Sequence, residues 1–167
     1  MKRTRLTLGV PLALAALATG AWLASAGSSA VATPPAPSPS APTSANLVSG
    51  ELAGSEDGPS KVSQDGVELK TKEATTVTTF ELTYPVGSYS GWHSHPGIVV
   101  AVVKEGVVER RTGCGAGEVF GEGQSFTETG LHHVSNVGEV DAVLSITRIY
   151  PTASTVGRID QPAPRCS

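Results

Sequence analysis

Gly87–Gly106 reads GSYSGWHSHPGIVVAVVKEG, and the reading of this stretch decides the fold. His93 and His95 stand at i and i+2, positions that share one face of a β-strand. Two imidazoles side by side on one face make half of a metal site. The run Ile98 to Val103, IVVAVV, is continuous, apolar and β-branched, as a buried strand is. The other two of the four histidines, His132 and His133, are neighbours later in the chain.

Outward from this stretch, Val and Thr are common and Gly recurs at short intervals, with no long segment of 3.6-residue period. The pattern predicts strands over Asn46 to Leu52, Val67 to Leu69, Thr75 to Tyr84, Ile98 to Val103 and Val107 to Arg111. Glu118 to Phe120, Gln124 to Glu128, His132 to Asn136 and Val140 to Tyr150 complete the set. Gly54 to Gly66 reads as a turn-rich loop, and Pro151 ends the last strand. Short strands at close spacing with Gly turns predict an all-β sandwich or barrel.

The front of the chain is different. Lys2, Arg3 and Arg5 precede the Leu- and Ala-rich run Leu6 to Leu23. Two small-residue sites follow, Ala24-Ser25-Ala26 and Ala30-Val31-Ala32. Residues 1–32 therefore read as a secretory signal, and the protein is expected to be secreted or extracytoplasmic. An uncleaved membrane anchor is the competing reading; Gly9, Pro11, Thr19 and Gly20 weaken it. Residues 33–45, TPPAPSPSAPTSA, cannot build a core and read as a disordered spacer. A domain over 46–167 remains, with its core at 75–150.

Removing residues 1–32 leaves nine Lys and Arg against fifteen Asp and Glu, a net charge of −6. An acidic domain without a basic patch argues against nucleic acid as a partner. Cys114 and Cys166, an even count in an exported chain, predict one disulfide. In the chain-entropy model such a link stabilises by about 4 kcal/mol.

Residues 75–150 resemble the cupin superfamily. The first cupin motif has Gly, five residues, His-x-His, a Glu, and Gly six residues beyond. Gly87, His93, His95 and Gly106 fall at those spacings, with Pro96-Gly97 also typical, but the Glu slot holds Val99. The second motif is matched by the spacing of His132 to Asn136, although its upstream turn lacks the usual Pro. The resemblance implies a double-stranded β-helix, a jelly-roll barrel with a metal inside. It would place His93 and His95 on one strand and His132 on a facing one.

On that reading the ligands are His93, His95 and His132, with His132 inward and His133 outward on alternate faces. A strand bulge would reverse the two. Three imidazoles without a carboxylate favour Fe, Zn, Ni or Cu over Mn. The competing reading is that the histidines are buried hydrogen-bonding residues with no metal. Trp92, Tyr89 and Phe126 read as packing residues, Arg110-Arg111 as surface charges and Glu128 as a solvated turn carboxylate. The open metal position would take a small molecule. The family holds dioxygenases, isomerases, sugar-modifying enzymes, sensors and storage proteins, so resemblance alone fixes no reaction. A dioxygenase-like enzyme and a non-catalytic binding or sensing module are the two expectations, and the absent Glu leans toward the second. Exposed edge strands allow pairing into a homodimer.

Overall fold

The computed structural model describes residues 40–166; the expected signal and the first part of the spacer lie outside them. Among the described residues twelve strands run in order: β1 Thr43–Glu51, β2 Ser60–Gln64, β3 Val67–Thr71, β4 Thr75–Tyr84, β5 His93–Ser94, β6 Ile98–Glu105, β7 Val107–Arg111, β8 Glu118–Gly121, β9 Ser125–Glu128, β10 His133–Asn136, β11 Ala142–Pro151 and β12 Ile159–Asp160. The first layer is a five-stranded sheet in the order β1-β4-β11-β6-β9. The second holds β10-β7-β8 and the pair β12-β5, joined by a bridge from His93 to His132. From β4 onward the chain passes back and forth between the layers, so the domain is a double-stranded β-helix.

Alternation fills the space between the layers. In β6 the buried residues are Val99, Ala101 and Val103; in β11 they are Ala142, Leu144 and Ile146. Val108 of β7 and Val134 of β10 close the core from the second layer. Phe126 is buried and stacks on Phe120 at 4.6 Å between ring centres. β4 and β11 pair without a break from Thr75–Pro151 to Tyr84–Ala142, which fixes which residues of each strand face inward.

Two turns depend on glycine. Gly97 has φ +75°, and a Cβ there would lie 2.1 Å from the Ile149 carbonyl oxygen. The chain can therefore bend from the histidine segment into β6 only where a side chain is missing. Gly106 has φ +76°, and a Cβ there would lie 2.8 Å from the Ala142 Cα, where β6 turns into β7.

Three elements depart from the sequence reading. β1 begins at Thr43, so Thr43, Ser44 and Ala45 of the expected spacer pair with Thr83, Leu82 and Glu81. Their composition carries no strand signal; the open edge of β4 supplies the hydrogen-bonding partners. The expected loop at 54–66 contains β2, which pairs with β3 across Asp65-Gly66. Both turn residues have positive φ, the geometry that Asp-Gly favours in a two-residue hairpin. The tail contains β12, too short to carry a periodicity of its own.

Cys114, in the β7–β8 loop, and Cys166 form a disulfide. It closes a loop over a sequence separation of 52 residues and ties down the segment that carries β12.

Candidate metal centre

His93, on β5, and His95, just beyond it, project to one side because the strand period is two. His132 is their neighbour across the sheet edge: its backbone N–H donates to the His93 carbonyl and its carbonyl accepts from the His93 N–H, both at 2.9 Å. The His93 and His132 rings lie 4.2 Å apart between centres. His95 Nε2 is 3.1 Å from His93 Nε2.

The fourth member is Glu128, at the end of β9. Its Oε2 lies 3.4 Å from His95 Nε2 and 3.5 Å from His132 Nε2. One ligand atom from each of His93, His95, Glu128 and His132 falls within 4.8 Å of every other. Glu128 is only 6% exposed, which corrects its reading as a solvated turn carboxylate. Val99 and Glu128 are direct register partners on β6 and β9. The carboxylate missing from the usual slot is supplied by the neighbouring strand, one position across. Sequence spacing could not find it, because register links residues 29 positions apart.

Each imidazole is held from behind. Nδ1 of His93 lies 3.0 Å from the Gly91 carbonyl, Nδ1 of His95 lies 2.7 Å from that of Gly157, and Nδ1 of His132 lies 2.9 Å from that of Gly130. A carbonyl only accepts, so each Nδ1 carries the proton, and each neutral ring presents the Nε2 lone pair to the cluster. His132 Nε2 is buried with no hydrogen-bond donor. Three inward lone pairs and a carboxylate repel one another unless a cation sits among them. Backbone carbonyls that fix the tautomer are also how metal-bound histidines are oriented. The donor set thus fits a divalent transition ion, held by His93, His95, His132 and Glu128. With a carboxylate present, the ground for ranking Fe, Zn, Ni and Cu above Mn falls away.

Electrostatics agree with the geometry. Burial pushes His93 down to about 4, with His132 and His95 adding to the effect. Burial works to raise the Glu128 carboxyl; the His132 and His95 side chains bring it to about 2, an effect that needs a proton or positive charge at their Nε2 atoms, the place a bound cation would take. Both values lie below those of an unfolded chain, so on acidification the unfolded chain takes up protons first. The Glu128 contribution, full above its ordinary 4.5, is lost as pH falls through about 2. His93 favours unfolding as pH falls from its ordinary 6.5 toward about 4.

The neighbouring residues have structural roles. His133 turns away from the cluster and lies between Tyr89, at 5.6 Å, and Trp92, at 5.5 Å between ring centres. Asn136 Nδ2 donates to the Tyr84 and Val140 carbonyls and its Oδ1 accepts from Gly138 N–H, fixing the β10–β11 turn. Arg110 is less exposed than a surface charge: it covers the Phe120 and Phe126 rings and pairs with Glu118.

The strands alternate between two layers, and both histidine motifs converge on one end of the space between them. The fold is a double-stranded β-helix, the jelly-roll barrel that the resemblance implied. No protein-family model matches the sequence, and neither does any curated protein. Among solved structures, this barrel is similar to oxalate oxidase, at 17% identity over 54% of this chain and 52% of that one, TM-score 0.43. It is similar to a protein with a double-stranded β-helix domain from Klebsiella pneumoniae, at 17% identity over 51% of this chain and 76% of that one, TM-score 0.43. A cupin-like protein from Thermotoga maritima is 15% identical over 52% of this chain and 65% of its own, TM-score 0.44. The matched part spans about half of the oxalate oxidase chain.

The tail is part of the centre. β12 pairs with β5, Asp160 opposite His93 and Ile159 opposite Ser94, and Gly157 holds His95. The disulfide secures that tail. Reducing it, or replacing Cys166 by Ser, is expected to weaken metal binding by roughly tenfold, the lower end of what losing an orienting partner costs. Competition with a chromophoric chelator, with and without reductant, measures this. Equal affinity in both states would show that β12 holds its place unaided.

Proposed function

We propose that this is an exported single-domain cupin that holds one divalent transition ion through His93, His95, His132 and Glu128 and takes a small molecule at an open metal position. The observation that carries the reading is the convergence of three carbonyl-backed Nε2 lone pairs and a buried carboxylate oxygen. Four protein ligands leave open positions on an ion that prefers six. A bound ion there would act as a Lewis acid and a template for a ligand oxygen. The protein supplies fixed ligands and a partly apolar cavity beside them. The leaning toward a non-catalytic module rested on a missing carboxylate, and Glu128 removes that ground.

Purified domain, dialysed against Mn, Fe, Zn, Ni or Cu in turn and then against buffer, should retain about one ion per chain for at least one metal. Retention of none would leave the histidines as hydrogen-bonding residues. Oxygen uptake by the loaded protein with a panel of small organic acids separates a dioxygenase-like enzyme from a binding module.

The basic start, the apolar run and the small-residue sites, together with the disulfide, support an extracytoplasmic location. Protein recovered from culture medium is expected to begin just after Ala26 or Ala32, as read by N-terminal sequencing. Recovery only of chains starting at Met1, in the membrane fraction, contradicts export by cleavage.

A further inference from the structure

One row of residues crosses the inner face of the five-stranded sheet. Register places Ser49, Thr78, Arg148, Val99 and Glu128 side by side on β1, β4, β11, β6 and β9. Arg148 continues the inward series of Leu144 and Ile146 on β11, so a guanidinium stands where alternation calls for an apolar side chain. It makes no salt bridge among the described residues. Its Nε is buried without a hydrogen-bond partner. The group is held instead by packing. It lies over the Tyr150 ring at 4.9 Å, and it occupies the space that a Gly157 side chain would fill, 2.6 Å from the ideal Cβ.

Arg148 lines a cavity of about 210 Å³ together with His93, His95 and Glu128, whose other walls include Phe80, Leu82 and Ile146. The second guanidinium there, Arg158, is already engaged by Asp160 and the Ser90 carbonyl. Val99 sits between Arg148 and Glu128. A glutamate at that position would be the direct neighbour of Arg148 and would neutralise it. Supplying the carboxylate from β9 instead leaves an uncompensated cation across the cavity from the histidines. Unpaired buried donors are costly unless a ligand completes them.

We infer that the cavity binds a small organic acid, its carboxylate accepting from the Arg148 guanidinium and its apolar body lying against Phe80, Leu82 and Ile146. A second oxygen donor on the same molecule reaches toward the histidine cluster. The second donor rests on the metal reading above; the carboxylate at Arg148 does not. The volume is below the roughly 300–1,000 Å³ of sites for drug-sized ligands, which limits the acid to few heavy atoms.

The test uses pentanoate, its neutral isostere pentanamide, and glutarate, each titrated into isotope-labelled protein and followed by amide chemical shifts. Metal-free parent should bind pentanoate at least about tenfold more tightly than pentanamide, the scale of a charge-assisted pair. Arg148→Met should erase the difference. Arg158→Met should keep it. Gly157→Ala, which retains the charge but displaces the guanidinium, should reduce it. In protein loaded with metal, glutarate should gain over pentanoate. Equal binding of pentanoate and pentanamide by the parent, no binding of either, or a preference that survives Arg148→Met overturns the inference. Metal content is measured on the same samples. A metal-free parent that prefers pentanoate supports the Arg148 site even if no ion is retained. A parent that retains an ion without that preference overturns this inference alone.

Discussion

Replacing His93, His95 or His132 by alanine is expected to cost a hundredfold or more in metal affinity, on the order of what loss of a directly bound ligand exceeds relative to an outer partner. Each of these side chains has one committed nitrogen and one inward lone pair, so no neighbour can take over its role. Glu128→Gln should cost a similar amount, because it keeps the shape and removes the charge. His133→Ala should retain the ion, since that ring packs between Tyr89 and Trp92. Elemental analysis after dialysis, with chelator competition for the affinity, reads all five proteins beside the parent. Full retention by Glu128→Gln would remove the carboxylate from the ligand set. Loss with His133→Ala and retention with His132→Ala would reverse the strand register at the site. Val99→Glu sharpens the point in the Glu128→Val background. The two positions are register partners, so a carboxylate at 99 should recover part of the lost affinity. The coupling in that double-mutant cycle then measures how far the two slots substitute for one another.

Gly97→Ala is expected to destabilise the domain by roughly 3 kcal/mol or more, combining a left-handed backbone with a clash that has no flexible partner to yield. The obstructing atoms are the Ile149 carbonyl and the Tyr150 Cα, at 2.1 and 2.7 Å from the ideal Cβ. Those atoms belong to β11, which is paired on both sides and cannot move away. Thermal unfolding should show a midpoint lower by about 10 °C or more. Gly113→Ala is the control, because nothing lies within 4 Å of its ideal Cβ and its φ is ordinary. A Gly97→Ala midpoint equal to that of the control would mean that the bend into β6 tolerates a side chain. Metal content measured on both variants separates a folding defect from a ligand defect.

The sequence by itself determined most of the strands from β3 to β11 and the common facing of the three histidines. β4 and β7 were legible to the residue, β4 because β-branched and aromatic residues recur in it, β7 because the Gly106 turn and the Gly-rich loop after Arg111 bound it. His93 and His95 share a face through the strand period alone. The inward direction of His132 follows from the pleat once its spacing to Asn136 is read. Tertiary structure decided the rest, and in each case the reason is long-range register. Thr43 to Ala45 are strand because an edge of β4 is open to them. β12 exists because β5 offers it two hydrogen-bonding positions. Glu128 belongs to the centre because β9 pairs with β6, which sets it beside the histidines in place of Val99. Arg148 lines the cavity because β11 lies between β4 and β6. Local pattern tells which face of a strand a side chain takes; only the pairing of strands tells what stands opposite it.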